Sequence, residues 1–190
     1  MGAAMGNDRP RFQRWLLGAR TAETAGALFD RHVLAAVLTV AYGDPWAALD
    51  MGMGLSRGQL AALVVRHFPH AASELLARVS DGDGAAPLND GEEALRALLL
   101  ARRGGEALEQ VWLAHILARR AQEGRRLWQD MGLEGRSELT AVMTRHFRPL
   151  RLLNTSDLPW KTFFNRALCQ GLEEDGRRRC RASSGLSLRR

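Results

Sequence analysis

Apolar positions recur at helical spacing along nearly the whole chain. From Arg11 to Ala19, Phe12, Trp15 and Leu16 fall on one face. Thr21 to Tyr42 reads as a long, mostly buried helix closed by Gly43-Asp44-Pro45. Ser56 with Gln59 forms a capping-box pattern ahead of Leu60, Leu63 and Val64. Ala71 to Val79 predicts a shorter helix, ended by the Gly/Asp-rich stretch from Ser80 to Asp90. Asp90 with Glu93 is a second capping-box pattern, opening a helix that runs to Arg103 and stops at Gly104-Gly105. Glu106 to Met131 is the longest periodic segment, with Leu108, Val111, Trp112, His115, Leu127, Trp128 and Met131 along it and a kink expected at Gly124. Ser137 with Thr140 starts a further helix that Arg148-Pro149 ends. Asp157 is placed to cap a last helix, about 157–172, with Pro159 in its first turn. No strand pair emerges, so the expected class is all-α, with about seven or eight helices.

The pattern also repeats. Arg57, Leu60, Ala62, Arg66, His67 and Phe68 recur in order as Arg136, Leu139, Ala141, Arg145, His146 and Phe147. Each copy follows an Asp-Met-Gly, at Asp50 and at Asp130, and each is preceded by a long helix with a Trp near its end or in the following turn (Trp46, Trp128). The simplest account is two related helical halves, about 21–80 and 90–150, joined by the Ser80–Asp90 linker. With the final helix they make one helical domain over 1–176.

Charge changes the picture only at one end. The net charge is +6, but residues 177–190 hold six arginines and no acid, which leaves 21 basic against 21 acidic residues before them. The body is neutral, so a nucleic-acid surface spread over the fold is not expected. The 177–190 stretch reads as a basic, flexible tail. With 46% apolar and 25% charged residues, the composition is that of a globular protein rather than a disordered one. The longest nearly unbroken apolar run, Val33 to Tyr42, is about half of what crossing a bilayer takes. Met1 to Pro10 lacks the apolar stretch of a secretory signal. No membrane association is expected, and the expected location is cytoplasmic.

Candidate chemistry is sparse. There is no Gly-rich phosphate loop, no His-Glu-x-x-His pair and no Gly-x-Ser-x-Gly elbow, so no conventional hydrolase is indicated. His67 and His146 sit at equivalent repeat positions. They are expected either to bond backbone at a helix end or, if the halves face each other, to share a metal. His115, on the apolar face of the longest segment, reads as a satisfied core histidine. The chain has two cysteines, Cys169 and Cys180, which excludes a disulfide framework. Arginines around Cys180 favour its thiolate, the form that ligates soft metals.

From Leu127 onward the residues resemble the C-terminal half of the NifQ family. The resemblance is carried by Leu127-Trp128-Gln-Asp130-Met-Gly132-Leu133, Arg136-Ser-Glu138-Leu139, Met143 and Arg145-His146-Phe147. It continues through Leu153-Asn154-Thr-Ser-Asp, Trp160-Lys161-Thr-Phe163-Phe164-Asn-Arg166, Leu168-Cys169 and Cys180. The Trp-Lys-x-Phe-Phe block is its most specific part. The resemblance implies an accessory protein of nitrogen fixation, a carrier rather than an enzyme. It would hold molybdenum in an iron–sulfur-type cluster and pass it to proteins assembling the nitrogenase iron–molybdenum cofactor. It also implies that Trp160, Lys161, Phe163 and Phe164 anchor the last helix.

The family's ligands are implied to be cysteines spaced Cys-x4-Cys-x2-Cys-x5-Cys. Cys180 matches the first; the second falls at Gly185 and the third at Leu188. The metal ligands expected from this chain are therefore Cys180 and, with it, Cys169. A shifted or truncated reading frame near Arg181 and a divergent copy both account for the departure. The rival reading is a metal-free helical interaction module whose basic tail binds an acidic partner.

Overall fold

A computed structural model describes residues 8–18, 24–80 and 88–170. They form α1 (Arg9–Leu17), α2 (Ala25–Tyr42), α3 (Leu49–Met53), α4 (Arg57–His67), a 3₁₀ turn (Pro69–Ala71) and α5 (Ala72–Leu76). These are followed by α6 (Asp90–Ala101), α7 (Leu108–Arg120), α8 (Leu127–Asp130), α9 (Arg136–His146), α10 (Arg148–Leu153) and α11 (Trp160–Gln170). No strand occurs among the described residues, and the class is all-α. The helices beyond the expected seven or eight are short ones at the corners, α3, α5, α8 and α10, each of 4 to 6 residues.

The capping signals account for several helix starts. Ser56 Oγ accepts from Gln59 N at 3.2 Å, and Ser56 N donates back to Gln59 Oε1 at 3.0 Å. Elsewhere the cap lies beside its expected position. Asn89, not Asp90, caps α6, its Oδ1 accepting from Glu92 N at 2.8 Å. Asp90 instead places a negative charge in the first turn, where the helix dipole favours it. Asp157 does not cap α11; it holds a left-handed conformation (φ 47°) in a turn that Asn154 closes through Leu158. Gly124 marks a break rather than a kink. Helix α7 stops at Arg120, and α8 restarts only at Leu127. Nothing packs over the Gly124 Cα, so this polar corner has no apolar contact to carry the helix through.

Helices α2 and α7 are the long core elements. Val33 to Leu38 on α2 and Leu113, Ala114, Ile116, Leu117 and Ala118 on α7 are at most 1% exposed. Helix α2 is long and apolar enough by composition to cross a membrane. Its buried residues pack in the same hydrophobic core as those of α7, which is what an interior helix requires.

Each half then turns sharply. Gly54 after α3 and Gly132 after α8 both take left-handed φ, 67° and 71°. Leu55 N donates to Asp50 O and Leu133 N to Trp128 O, the closing bonds of a left-handed helix stop. A Cβ on Gly54 would lie 2.6 Å from Arg119 Cβ of α7. A Cβ on Gly132 would lie 2.6 Å from Val40 Cγ2 and 2.7 Å from the Ala36 carbonyl of α2. The turn of each half thus packs on the long helix of the other. The two copies are interlocked rather than side by side. They differ at their tryptophans: Trp46 is 94% exposed, whereas Trp128 packs against the core.

Candidate functional site

The repeated Arg-His pairs also reach across to the opposite half. At the end of α9, Arg145 donates from Nε and Nη2 to the two Asp30 oxygens at 2.7 and 2.9 Å. His146 Nε2 lies 2.8 Å from Asp30 Oδ1. At the end of α4, Arg66 Nε donates to Glu109 Oε1 at 2.7 Å, and His67 Nε2 lies 3.1 Å from the same oxygen. Asp30 belongs to α2 and Glu109 to α7, so each half clamps the long helix of its partner half. Burial alone would raise both carboxyls. Asp30 is nevertheless held below its ordinary value by His146 and Arg145, and Glu109 by a backbone hydrogen bond, Arg66 and His67. His67 and His146 therefore have side-chain carboxylate partners, where the sequence suggested helix-end backbone or a shared metal. Among the described residues no group of three or more His, Cys, Asp and Glu is placed to hold a metal ion.

The two Asp-Met-Gly aspartates are buried, and their partners differ. Asp50 accepts from Ser80 N at 3.1 Å and Ser80 Oγ at 2.5 Å. Asp130 accepts from Arg125 Nε at 3.1 Å and from Lys161 Nζ at 2.7 Å. Lys161 also donates to the carbonyls of Glu123 and Arg125, both at 2.6 Å. All three ammonium donors are then used, and they pin the start of α11 to the 121–125 corner.

Helix α11 is built on an apolar stripe. Trp160, Phe163, Phe164 and Ala167 follow i, i+3, i+4, i+7 spacing and are at most 7% exposed. Their rings meet at 5.7 to 6.0 Å, and Trp160 Nε1 donates to Thr140 Oγ1 at 3.3 Å. At about 100° per residue, Cys169 falls on the opposite side of the helix from Trp160, about 14 Å farther along. It is accordingly exposed. Cys180, the other expected ligand, lies outside the described residues, as does the whole 177–190 tail.

Beside the start of α11 opens a cleft of about 740 Å³ between α8, α11 and the 121–126 corner. Arg125, Arg126 and Arg136 stand on its walls with Trp128 and Trp160, and Glu123 is the acid among its lining residues. Arg136 is anchored by donating from Nη2 to the Leu158 carbonyl at 3.2 Å and by pairing with Asp157 at 3.0 Å. The cleft suits an anionic guest or an acidic segment. Charge spacing alone could not reveal it, because its cations, Arg125 with Arg126, Arg136 and Lys161, come from three separate stretches of sequence.

The NifQ family model matches residues 33–185. The chain is 33% identical over 150 residues to Protein NifQ of Azotobacter vinelandii, covering 74% of this chain and 75% of that one. It is 35% identical over 159 residues to a NifQ homolog of Sinorhizobium fredii, covering 82% and 67%. To Protein NifQ of Rhodobacter capsulatus it is 40% identical over 123 residues, 64% of each chain. No solved structure matches the chain. The matched region includes α2 from Val33 onward, the whole of α7, the Arg66-His67–Glu109 clamp, Arg145 and His146 of the other clamp, and the anchored final helix, and the chain belongs to the NifQ family of nitrogen-fixation accessory proteins.

Proposed function

We propose that this chain handles molybdenum for assembly of the nitrogenase iron–molybdenum cofactor, as a cytoplasmic carrier rather than a catalyst. Its partners are the proteins of that assembly route. The observation that carries the reading is the anchored α11, the family's Trp160-Lys161-x-Phe163-Phe164 block, which ends on an exposed thiol in a matched family region that includes Cys180. Molybdenum is the cargo, and thiolates are suitable soft ligands for it.

An iron–sulfur-type cluster fits less well. Such clusters are held by about four thiolates, whereas this chain has Cys169 and Cys180. Cys169 and Cys180 alone do not complete such a cluster. Two chains together would bring four thiols.

The test is metal retention. The full chain is reconstituted anaerobically with iron, sulfide and molybdate, desalted, and analysed for metals. The expected result is molybdenum retained by the wild type and lost in Cys180→Ser, with a smaller loss in Cys169→Ser. Unchanged molybdenum in Cys180→Ser would remove the ligand assignment. A wild type without metal would favour the rival reading, a metal-free interaction module, for which the arginine-walled cleft is the supporting observation. In that case deleting Arg177 to Arg190 should weaken binding to an acidic partner in a salt-dependent way.

A further inference from the structure

Away from the cleft and the cysteines, a cluster of charge is buried between α6 and α7. The Glu92 side chain is fully buried. Arg96 Nη2 lies 3.0 Å from its Oε1, and Arg119 Nη1 lies 3.2 Å from its Oε2. Arg96 Nη2 also donates to the Gly54 carbonyl at 3.2 Å. Two guanidinium groups therefore share one carboxylate and leave a positive charge in excess. Both side chains are largely covered, at 14% and 20% exposure.

Several nitrogens of the cluster have no hydrogen-bond partner, and Glu92 Oε2 has only the Arg119 ion pair. Arg96 Nε, Arg119 Nε and Arg119 Nη2 are buried without a hydrogen-bond partner, as is His115 Nδ1 one turn before Arg119. Nε and Nη2 are the paired edge with which a guanidinium grips two oxygens of one anion. Arg119 uses Nη1 on Glu92 and keeps that paired edge unused.

The duplication supplies an internal control. The equivalent joint in the other half places Ala36 and Val40 against Gly132. Packing at such a joint is therefore met by two small apolar residues. Here His115 and Arg119 stand against Gly54 instead. The Glu92 pairing accounts for Nη1 of Arg119, but neither it nor packing accounts for the Nε–Nη2 edge.

We propose that Arg96, Arg119 and His115 form a binding site for a small tetrahedral oxyanion, held on the unused edge of Arg119 and on Arg96 Nε beside the Gly54 turn. The ligand class is sulfate, hydrogenphosphate or molybdate. Each offers several acceptor oxygens and the negative charge the cluster lacks. The site uses no cysteine and stands apart from the thiolate reading.

The test titrates the full chain with sodium molybdate, sodium sulfate and sodium phosphate, against sodium chloride at matched ionic strength. Calorimetry and the arginine Nε signals in ¹H–¹⁵N spectra are the readouts. The expected result is one saturable site per chain, displacement of two arginine Nε signals, and at least a tenfold loss of affinity in Arg119→Gln. A tenfold preference for molybdate would assign the site to the molybdenum cargo, and equal affinities would assign it to oxyanions generally. Heats no different from chloride, or unchanged affinity in a folded Arg119→Gln, would overturn the proposal. If that variant does not fold by circular dichroism, the wild-type Nε signals decide, since signals that stay in place overturn it as well. Oxyanion binding that persists in the Cys169→Ser/Cys180→Ser double variant keeps this result independent of metal retention.

Discussion

His146 Nε2 lies 2.8 Å from Asp30 Oδ1 although 116 residues separate them in the chain. The side chains are 5% and 8% exposed, and Arg145 grips the same carboxylate with two bonds. Asp30→Asn removes the charge and leaves Arg145 and His146 facing a neutral amide. A loss of roughly 2–4 kcal/mol is expected. Glu109→Gln should cost less, about 1–2 kcal/mol, because Arg66 in the equivalent clamp is 56% exposed and already solvated. Urea unfolding of both variants checks the order; equal losses would remove the distinction.

The two left-handed glycines predict opposite outcomes from a third glycine. Gly132→Ala adds a Cβ 2.7 Å from a backbone carbonyl that cannot move alone, at φ 71°. A loss of roughly 3 kcal/mol or more is expected, from strain plus overpacking. Gly58→Ala, in the first turn of α4 with nothing within 4 Å, should stabilise by about 0.5–1 kcal/mol. Thermal melts of the pair measure both signs.

Acid should weaken the fold in two steps. Burial first, and Arg96 second, push His115 down from 6.5 to about 4. The unfolded chain therefore takes up a proton at that site before the folded chain does. Stability falls as pH drops from 6.5 toward 4, by on the order of 2–3 kcal/mol from this group. Asp30 and Glu109, held below their ordinary 3.8 and 4.5, add a second loss at lower pH. In His115→Gln the first step should vanish while the second remains. Denaturation measured across pH 7 to 3 tests this, and a first step that persists in the variant would locate it elsewhere.

Lys161 has three acceptors, one of them on a fully buried carboxylate. Lys161→Met should cost roughly 2–3 kcal/mol and speed amide exchange at the 121–125 corner and the start of α11. Lys161→Arg should rescue little, because a planar guanidinium cannot reproduce three divergent bonds from one nitrogen. Hydrogen-exchange mass spectrometry reports the effect directly.

Much of this fold is legible in the residues. Helical periodicity, the Ser56–Gln59 box and the copied Arg-His-Phe define the class and the duplication, because each is a local pattern. The exchange of contacts between copies is not legible. A repeat reveals that Gly54 and Gly132 are equivalent, but not which copy's long helix each one meets. The Asn89 cap is hidden because three acidic residues crowd behind it and Asp90 fits the same spacing. The break at Gly124 is hidden because Leu127, Trp128 and Met131 continue the apolar phase across a corner that turns in space. For the candidate site, the Trp-Lys-Phe-Phe block pointed to an anchor for the last helix. The arginines of the cleft and of the Glu92 cluster meet only after folding.

The crossed clamps determine how this chain can be divided. A fragment containing only the first half would carry Arg66 and His67 without Glu109, and Asp30 without Arg145 and His146. A fragment of the second half would carry the complementary deficits. Each fragment has the group that the other lacks, which is the self-complementary logic of a twofold homodimer written into one polypeptide. Cut within the Ser80–Asp90 connection, the two pieces should find each other in solution, and neither should hold its shape by itself.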